Sequence, residues 1–558
     1  MQHIVKGNLV NISLQTITPS AITIVDGIIQ KIETLPEGEG LPFILPGFID
    51  AHVHIESSLL VPSEFARLAV QHGTIATISD PHEIANVCGV EGVRFMVENG
   101  KASGFNFFFG VPSCVPATAF ETAGASIQPA DVAALLQSDD MYYLAEMMNF
   151  PGVWHKDADV MQKLQAAITA GKPIDGHAPG LRGQAMKQYF YANETNASQP
   201  IISTDHECFS YEEALEKLQA GVKIIIREGS AAKNFEVLIS LLPDWSHQIM
   251  FCSDDKHPDS FDNGHINQLC ARAVALGYPL FAVLQAACIN PILHYRLPIP
   301  PIAENELANF CVVNNFLQFC VIQTFIKGNC VFTKGEVLLP VIQVGAINRF
   351  AIEPIKPVDI EFSKDDIIIN DAAETPAIKA IDSQLITEKH WLKPIWNNDA
   401  WHANLANDCI KLVVVNRYSK APVAKAFIHG TGIKTGAMAS SVAHDSHNII
   451  AMGVEDDCLL NAINTLIAHK GGLAVATKQE TQVLALPVAG LMSNQPAETV
   501  TELYKTLDLL SKQQLGSTLQ SPFMTLSFMA LLVIPALKLS DKGLFDGAYF
   551  TFVKTVSV

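Results

Sequence analysis

The segment LPGFIDAHVHIESS at residues 45–58 is an apolar run that ends by placing two histidines, His52 and His54, two positions apart. Alternate side chains of a β-strand point to the same face, so both imidazoles would lie on one side of a strand, with Val53 on the other. Two such imidazoles can bind one divalent metal ion. Because an H-x-H motif is short, solvated or core histidines are the alternative interpretation, and partner ligands must decide between the two.

A repeating pattern of strands and helices surrounds these histidines. Short runs of β-branched or aromatic residues end in polar residues, and each run precedes a segment with a helical pattern. The eight runs cover residues 46–54, 74–80, 105–110, 141–146, 173–178, 200–207, 222–228 and 249–255. Eight strand and helix units in about 250 residues match the size of a (β/α)₈ TIM barrel, and a doubly wound open sheet is the competing fold.

Polar residues at the ends of the predicted strands favour the barrel, because a barrel gathers its chemistry in the loops that follow its strands. These positions supply Glu146, His177, His206, Asp254 and Asp255. Taken singly, each has an ordinary explanation as a helix cap, a turn residue or a core histidine. Taken with the two histidines of the first strand, they provide a ligand set suited to two divalent ions that share a bridging carboxylate.

The composition argues against several classes of partner. The chain has 558 residues, of which 49% are hydrophobic and 17% are charged, and its net charge is -19. A negative chain is a poor match for phosphate backbones, so we expect no nucleic-acid ligand. The low charged fraction predicts an extensively buried protein of several domains that assembles as a homo-oligomer, a dimer or larger.

Neither secretion nor membrane insertion is expected from the sequence. The start, MQHIVKGNLVN, has no basic region followed by an apolar core, and the eleven cysteines include no C-x-x-C pair, so we expect a cytoplasmic protein. The most apolar late segment, residues 522–539, is too short for an uninterrupted membrane span and contains Pro535. We interpret this segment as buried protein core and expect no membrane partner.

Longer blocks carry a resemblance to a known family. They are PGFIDAHVHIESS (46–58), DPHEIANV (80–87), DGHAPGLRG (175–183), TDHEC (204–208), IREGSAAKN (226–234), FCSDDKHP (251–258), the segment 423–450 and the segment 521–546. Together they resemble the bacterial and archaeal adenine deaminases of the amidohydrolase superfamily, almost from end to end. The unrelated cytidine-deaminase type needs H-x-E and P-C-x-x-C elements, and neither occurs in this sequence.

The resemblance implies a binuclear site with Mn or Fe as the preferred metals and Zn as a further option. The implied ligands are His52 and His54 for one ion, Glu146 as the bridge, His177 and His206 for the second ion, and Asp254 from the eighth strand. Asp254 would also act as the catalytic base, and Asp255 would contact the purine. The implied reaction is attack of a metal-bound hydroxide on C6 of adenine, which yields hypoxanthine and ammonia in purine salvage.

Two roles stay open at this level. A ring nitrogen of the purine must be protonated as C6 becomes tetrahedral, and Glu83, Glu207 and Glu228 all lie near predicted strand ends. Arg227, Glu228 and Ser230 at the seventh strand end are either donors and acceptors for the edge of the base or parts of a salt bridge in the barrel mouth.

Two further groups of polar residues have less defined roles. Asp80 and His82 close the second strand, where hydrogen bonding to a ligand histidine is favoured over a further metal. His444 and His447 flank Asp445 at a spacing that suits one helical face. We expect this second group to close the active site or to support a domain interface.

The same resemblance and the strand pattern imply three domains. Residues 1–44 and 300–345 would form a small composite β-sandwich into which the amidohydrolase barrel, residues 45–299, is inserted, and residues 385–558 would form a C-terminal α+β domain. Two positions depart from the family pattern, Asn309 in place of an aspartate and Ser419 in place of a glycine, and these put local turn geometry in question.

Two other functions remain compatible with the ligand set. One is a different metal-dependent amidohydrolase that acts on a cyclic amide or another aminated heterocycle, because the fold and ligands alone do not identify a substrate. The other is a non-catalytic protein that binds a nucleobase. Metal content and ammonia release distinguish these possibilities from adenine deamination.

Overall fold

A computed structural model describes residues 2–194 and 198–553 of the chain. In these two ranges a strand forms within each of the eight predicted barrel runs. The strands are Phe48–Val53, Thr74–Ser79, Asn106–Val111, Met141–Met147, Ile174–Gly176, Thr204–Asp205, Lys223–Arg227 and Ile249–Cys252. Every pairing between neighbouring strands within these two groups, the first five and the last three, is parallel.

Backbone hydrogen bonds close these strands into a barrel. The first five strands form one sheet and the last three another. Ser203 N donates to Ile174 O (2.8 Å) and joins the fifth strand to the sixth, and Asp254 N donates to His52 O (3.0 Å) and joins the eighth strand to the first. A doubly wound sheet would leave two open edges, so the predicted (β/α)₈ barrel is confirmed.

Helices follow the barrel strands and cover their outer faces. The α-helices are Pro62–Ala69, His82–Cys88, Val90–Ser103, Pro129–Leu136, Phe150–Trp154, Ala158–Ala170, Gly183–Phe190, Tyr211–Gln219, Phe235–Leu238, Leu242–Trp245, Ile266–Ala275, Leu280–Leu284 and Asn290–Tyr295. Short 3₁₀ turns lie at Ile55–Ser58, Val70–His72, Ile239–Leu241 and Pro258–Asn263, and a π-helical turn at Gln285–Ile289. The first two strands are buried along their whole length, as expected of a parallel sheet that is covered on both faces.

A second sheet combines strands from both sides of the barrel segment. Its order within the described chain is Glu336–Val337, Asn329–Thr333, Val321–Ile326, Phe310–Val313, Phe43–Pro46, Gln2–Asn11, Thr16–Val25 and Ile28–Thr34. The sheet is curled, and Ala308 N donates to Gly27 O (3.0 Å). Side chains from its two ends share one apolar core. At the departure from the family pattern, Asn309 accepts a hydrogen bond from Lys327 N (2.9 Å), which stabilises the local turn.

The C-terminal part of the chain forms a mixed sheet with helices packed on it. In the described residues the strand order is Thr387–Leu392, Thr375–Ala380, Ala424–His429, Ile410–Val415, Ile449–Gly453, Ala437–Ser440, Gly472–Ala476 and Thr481–Ala485. Smaller strands lie at Ile395–Asn397, Ala400–His402, Leu537–Ser540, Gly543–Asp546 and Thr551–Phe552. The α-helices are Pro357–Ile360, Asp456–His469, Ala497–Gln513 and Pro522–Phe528, with a 3₁₀ turn at Leu405–Asn407.

Two turns in this region concern residues singled out in the sequence, His444 to His447 and Ser419. The residues from His444 to His447 form a turn, so the predicted helical face is wrong; the turn connects two strands of the sheet. Ser419 N and Tyr418 N both donate to the side chain of Asn416 (3.0 and 2.9 Å), which forms the turn through an asparagine side chain. The backbone of Ser419 lies outside the left-handed region, so this turn needs no glycine.

The apolar segment near residue 530 is protein core, as predicted. All seven residues of the helix Pro522–Phe528 are buried. No helix in the described part of the chain has the length and apolar character needed to cross a bilayer. The segment instead packs in the same apolar cluster as the barrel, which joins the C-terminal domain to the barrel mouth.

A buried ion pair positions two of the barrel strand ends. Lys217 Nζ donates to Asp205 Oδ2 (2.8 Å), Glu213 Oε1 (2.6 Å) and Ala178 O (2.8 Å), and all of its side chain is buried. Asp205 precedes His206, and Ala178 follows His177. The ammonium group therefore fixes the backbone on which these two histidines sit.

We expect Lys217→Met to lower the free energy of unfolding by about 3–5 kcal/mol, because it leaves two buried carboxylates without their cation. Urea denaturation followed by circular dichroism measures this change. The matched control is Arg182→Ala, which breaks an exposed pair with Glu216 (3.0 Å) and should cost less than about 1 kcal/mol. Equal effects of the two substitutions would contradict the role of the buried pair.

Candidate metal centre

The two histidines of the first strand and the aspartate after the eighth strand form one cluster of ligand atoms. His52 Nε2 lies 3.1 Å from His54 Nε2, and Asp254 Oδ1 lies 3.3 Å from the latter and 3.8 Å from the former. An ion with bonds of about 2.1 Å in tetrahedral geometry holds its ligand atoms about 3.4 Å apart. The spacing of these three atoms therefore fits one metal ion, as strand alternation predicts.

Glu146 joins this cluster to a second one. Its Oε2 lies 2.9 Å from His177 Nδ1 and 3.1 Å from His206 Nε2, whereas its Oε1 lies 3.7 Å from His54 Nε2. Each carboxylate oxygen thus faces a different set of imidazoles. This is the arrangement that a bridging carboxylate between two ions requires.

The site is buried and strongly polarised. None of the six residues exposes more than 8% of its surface. Burial raises the pKa of the Glu146 carboxyl, but His177 and His206 outweigh it and hold that pKa well below its usual range. Burial likewise raises the pKa of Asp254, and the neighbouring Arg227 outweighs it, so this carboxyl is also ionised. The residues present thus fit two divalent cations, which neutral imidazoles and ionised carboxylates bind.

Asp254 is held in an unusual backbone conformation. Its φ of +51° lies in the left-handed region that non-glycine residues rarely adopt. Its amide bonds to His52 O and its carbonyl accepts from His54 N (3.4 Å), so the first strand holds it in place. Strained residues of this kind cluster at functional sites, where the surrounding structure over-determines them.

Arg227 occupies the position that the salt-bridge interpretation predicts. It contacts both oxygens of Glu207, with 3.0 Å between Nη2 and Oε2, and its Nη1 donates to Asp254 Oδ2 (2.6 Å). The guanidinium group is therefore committed to two buried carboxylates at the edge of the cavity. The ion pair explains the burial of Arg227, and its use as a donor to the purine edge stays a prediction.

Glu228 and Ser230, which were predicted to bind substrate, are not brought to the cavity. The Glu228 carboxylate lies 3.0 Å from Arg272 Nη1, and the Ser230 hydroxyl lies 2.7 Å from Ser260 Oγ. Side chains alternate along a strand, so when Arg227 points into the barrel mouth its neighbour Glu228 points outward. The geometry therefore gives no support to the predicted substrate contacts of Glu228 and Ser230.

A second polar group lies beside the metal ligands. Ser57 Oγ donates to Asp255 Oδ1 (2.6 Å) and lies 3.2 Å from Glu83 Oε1, and His444 Nε2 lies 2.7 Å from the same Glu83 oxygen. The structure therefore brings Glu83 and Asp255 together in one cavity. Sequence reasoning missed Ser57, although it lies in the block that carries the first histidines.

The walls of this cavity come from two domains. The barrel supplies the candidate metal ligands, and the C-terminal part of the chain supplies Leu385, Phe528 and Leu531 in addition to its polar residues. These apolar residues were not predicted, because nothing in an apolar run distinguishes a cavity wall from ordinary core. The cavity therefore combines polar groups from the barrel with an apolar wall from the C-terminal part of the chain.

Asp80 and His82 support the ligands from the second strand. The backbone carbonyl of Asp80 lies 3.3 Å from His54 Nδ1, so it can accept the proton on that ring nitrogen and leave Nε2 free to face the other ligands. His82 Nδ1 lies 3.3 Å from Asp80 Oδ2 and 3.6 Å from Glu146 Oε1, and its Nε2 lies 3.8 Å from Asp445 Oδ1. Residues at the end of the second strand and in the C-terminal domain thus both support the site.

We expect metal binding to release protons. Burial lowers the pKa of His206, but its hydrogen bond to Glu146 outweighs burial and raises that pKa to about 9. Burial also lowers the pKa of His177, but the charges of Glu207 and Glu146 outweigh burial and raise it. An imidazole must be deprotonated to bind a metal, so the apparent affinity should rise as the pH rises from 7 to about 9. Chelator competition at several pH values measures this slope, and an affinity independent of pH would contradict it.

Comparisons with known proteins agree with this geometry. Residues 43–331 match the amidohydrolase family, and residues 384–551 match the adenine deaminase C-terminal domain. The chain is 48% identical over 553 residues to an adenine deaminase of Salinibacter ruber, with 98% of each chain covered, and 47% identical over 539 residues to one of Methanosarcina mazei, with 95% of each covered.

Solved structures give a weaker match. A β-aspartyl dipeptidase from Fervidobacterium islandicum aligns with a TM-score of 0.46 at 16% identity and covers 60% of this chain and 98% of its own. The identities over nearly full length, together with the two matched domains, are decisive. This chain belongs to the adenine deaminase family of the amidohydrolases.

Proposed function

We propose that this protein catalyses the hydrolytic deamination of adenine to hypoxanthine and ammonia with two bound divalent ions. The observation that carries the proposal is the position of Glu83 and Asp255 in the same cavity as the metal ligands. A ligand cluster alone suits many hydrolases, whereas a purine also needs groups that recognise its ring nitrogens. The full-length relatives named adenine deaminase support this substrate.

The two ions would be held by the residues that the sequence indicates. His52, His54 and Asp254 would hold one ion, His177 and His206 the other, and Glu146 would bridge them. When bound, the ions lower the pKa of a water so that hydroxide is available near neutral pH. Mixed imidazole and carboxylate ligands suit Mn or Fe as well as Zn, and we favour Mn or Fe.

Asp254 is the residue best placed to move a proton at the reacting carbon. Its Oδ2 is held by Arg227, and its Oδ1 faces the histidine cluster. The carboxylate would accept the proton from the attacking water and deliver it to the amino group as ammonia leaves. Arg227 keeps the aspartate ionised and oriented for this role.

Glu83 is the better candidate to carry the proton for the ring nitrogen. Both oxygens of Glu207 are engaged by Arg227, and Glu228 lies outside the cavity. Glu83, in contrast, has one oxygen held by His444, and its buried Oε2 has no hydrogen-bond partner among the described residues. An oxygen of this kind is free to bond a ring nitrogen of the purine.

The remaining contacts would orient the base. Asp255 would accept a hydrogen bond from the purine edge, with its position fixed by Ser57. Leu385, Phe528 and Leu531 would pack against the faces of the ring. Apolar walls with a few fixed polar groups are the usual composition of a small-molecule site.

The first test is ammonia release by metal-free protein reconstituted with Mn(II), with adenosine and cytosine as comparison substrates. Asp254→Asn should lower kcat for adenine by about 10²–10⁴-fold, because it removes the proton acceptor. The control Asp262→Asn changes a largely exposed aspartate that pairs with Lys505 (2.7 Å) and should leave kcat unchanged. Protein that binds two metals but leaves adenine intact would instead favour another amidohydrolase substrate.

The three candidate carboxylates can be separated by single substitutions. Glu83→Gln should lower kcat by about 10²-fold or more with metal content unchanged. Glu228→Gln should have little effect, because its carboxylate faces Arg272 outside the cavity. Steady-state kinetics together with metal analysis make the comparison. A larger loss for Glu228→Gln than for Glu83→Gln would overturn the assignment.

A further inference from the structure

We propose that His444, from the C-terminal domain, is a positioning residue of the active site that orients Glu83 for the purine. This inference rests on the proposed function, because Glu83 is assigned there to the ring nitrogen. It gives the C-terminal domain a defined part in the reaction. The evidence lies in three contacts of one imidazole.

The first contact spans the domain boundary. His444 Nε2 lies 2.7 Å from Glu83 Oε1, although the two residues are 361 positions apart in the sequence. The same nitrogen lies 3.6 Å from Asp255 Oδ1. The imidazole therefore stands at the two carboxylates that would recognise the base, and it is only 4% exposed.

The second contact holds the other side of the ring. His444 Nδ1 lies 2.6 Å from Ser527 Oγ, within the helix Pro522–Phe528. A hydroxyl can donate to Nδ1 or accept from it, so Ser527 satisfies this nitrogen whether the ring is neutral or protonated. Glu83 Oε1 accepts, so Nε2–H donates to it. Ser527 thus anchors the imidazole while its Nε2 faces the carboxylate.

The third contact limits the freedom of Glu83. Its Oε1 accepts from His444 Nε2, so one oxygen is engaged and Oε2 is left to face the substrate. Ser57 Oγ lies 3.2 Å from the same Oε1 and donates its proton to Asp255, which places the two carboxylates close together. A proton donor next to both reduces the repulsion between like charges and holds them in one arrangement.

A purely structural role for His444 would not need an imidazole that faces the carboxylates of the cavity. The turn that carries His444 also carries His447, which is fully buried as well but whose Nδ1 lies near the backbone amide of Ala443 (3.3 Å). His447 does not line the cavity, whereas His444 does. The two histidines therefore provide a matched pair, one facing the site and one facing the core of the turn.

The test compares His444→Ala, His444→Gln and His447→Gln in Mn(II)-reconstituted protein, with kcat, KM, metal content and thermal midpoint measured for each. We expect His444→Ala to lower kcat by about 10²-fold with two metals retained, as misplaced catalytic groups do. His444→Gln should recover about a tenth of wild-type kcat or more, because its amide can still donate to Glu83. His447→Gln should keep kcat within about threefold of wild type, even if its thermal midpoint falls.

A double-mutant cycle supplies the decisive comparison. If His444 acts through Glu83, then adding His444→Gln to Glu83→Gln should lower kcat by no more than about threefold further. Losses that multiply would overturn the proposal, as would wild-type kinetics in His444→Ala. The Gln variants keep the test valid if the Ala variant fails to fold.

The failure of this inference is distinguishable from failure of the proposed function. Wild-type protein that releases no ammonia from adenine would overturn both. Active wild-type protein with an equally active His444→Ala variant would overturn the role of His444 alone. Equal losses of kcat in His444→Ala and His447→Gln would also overturn it, because they would show that the turn matters only for stability.

Discussion

The structure depends on one buried carboxylate, Glu146, which lies between two groups of imidazoles at the mouth of the barrel. Each of its oxygens faces a different strand end, 2.9 Å from His177 on one side and 3.7 Å from His54 on the other. A buried charge is costly unless opposite charges or ions compensate it. The parallel strands make that compensation possible, because they bring residues that are far apart in the sequence to one edge.

Much of this centre could be predicted from the sequence, for a definite physical reason. Strand alternation placed His52 and His54 on one face, and the shared edge of parallel strands brought His177, His206 and Asp254 to meet them. Strand alternation relates residues two positions apart, and the strand and helix repeat relates the ends of successive strands. Both relations can therefore be recognised from the pattern of residue types in the sequence. The site residues that obey such rules lie where the sequence indicated.

The rest of the site could not be predicted in this way, because it depends on contacts between domains or on the orientation of a single side chain. His444 reaches Glu83 across 361 positions from a turn with no periodic pattern, and its spacing from His447 suggested a helix that does not form. Glu228 lies next to Arg227 in the sequence but points to the opposite side of the strand. Sequence proximity is a poor guide when alternate residues face opposite ways.

The C-terminal domain contributes to the site through two kinds of interaction that do different work. Apolar side chains of its helix Pro522–Phe528 belong to the same buried cluster as the barrel. Their removal from water favours contact between the domain and the barrel, and this contribution depends little on the exact position of the domain. The polar contacts of His444 and Asp445 are few and directional, so they add little net stability but define how the domain must sit. A domain held only by apolar contacts could shift without great cost. The imidazole between Glu83 and Ser527 removes that freedom, because any shift would leave a buried carboxylate without its donor.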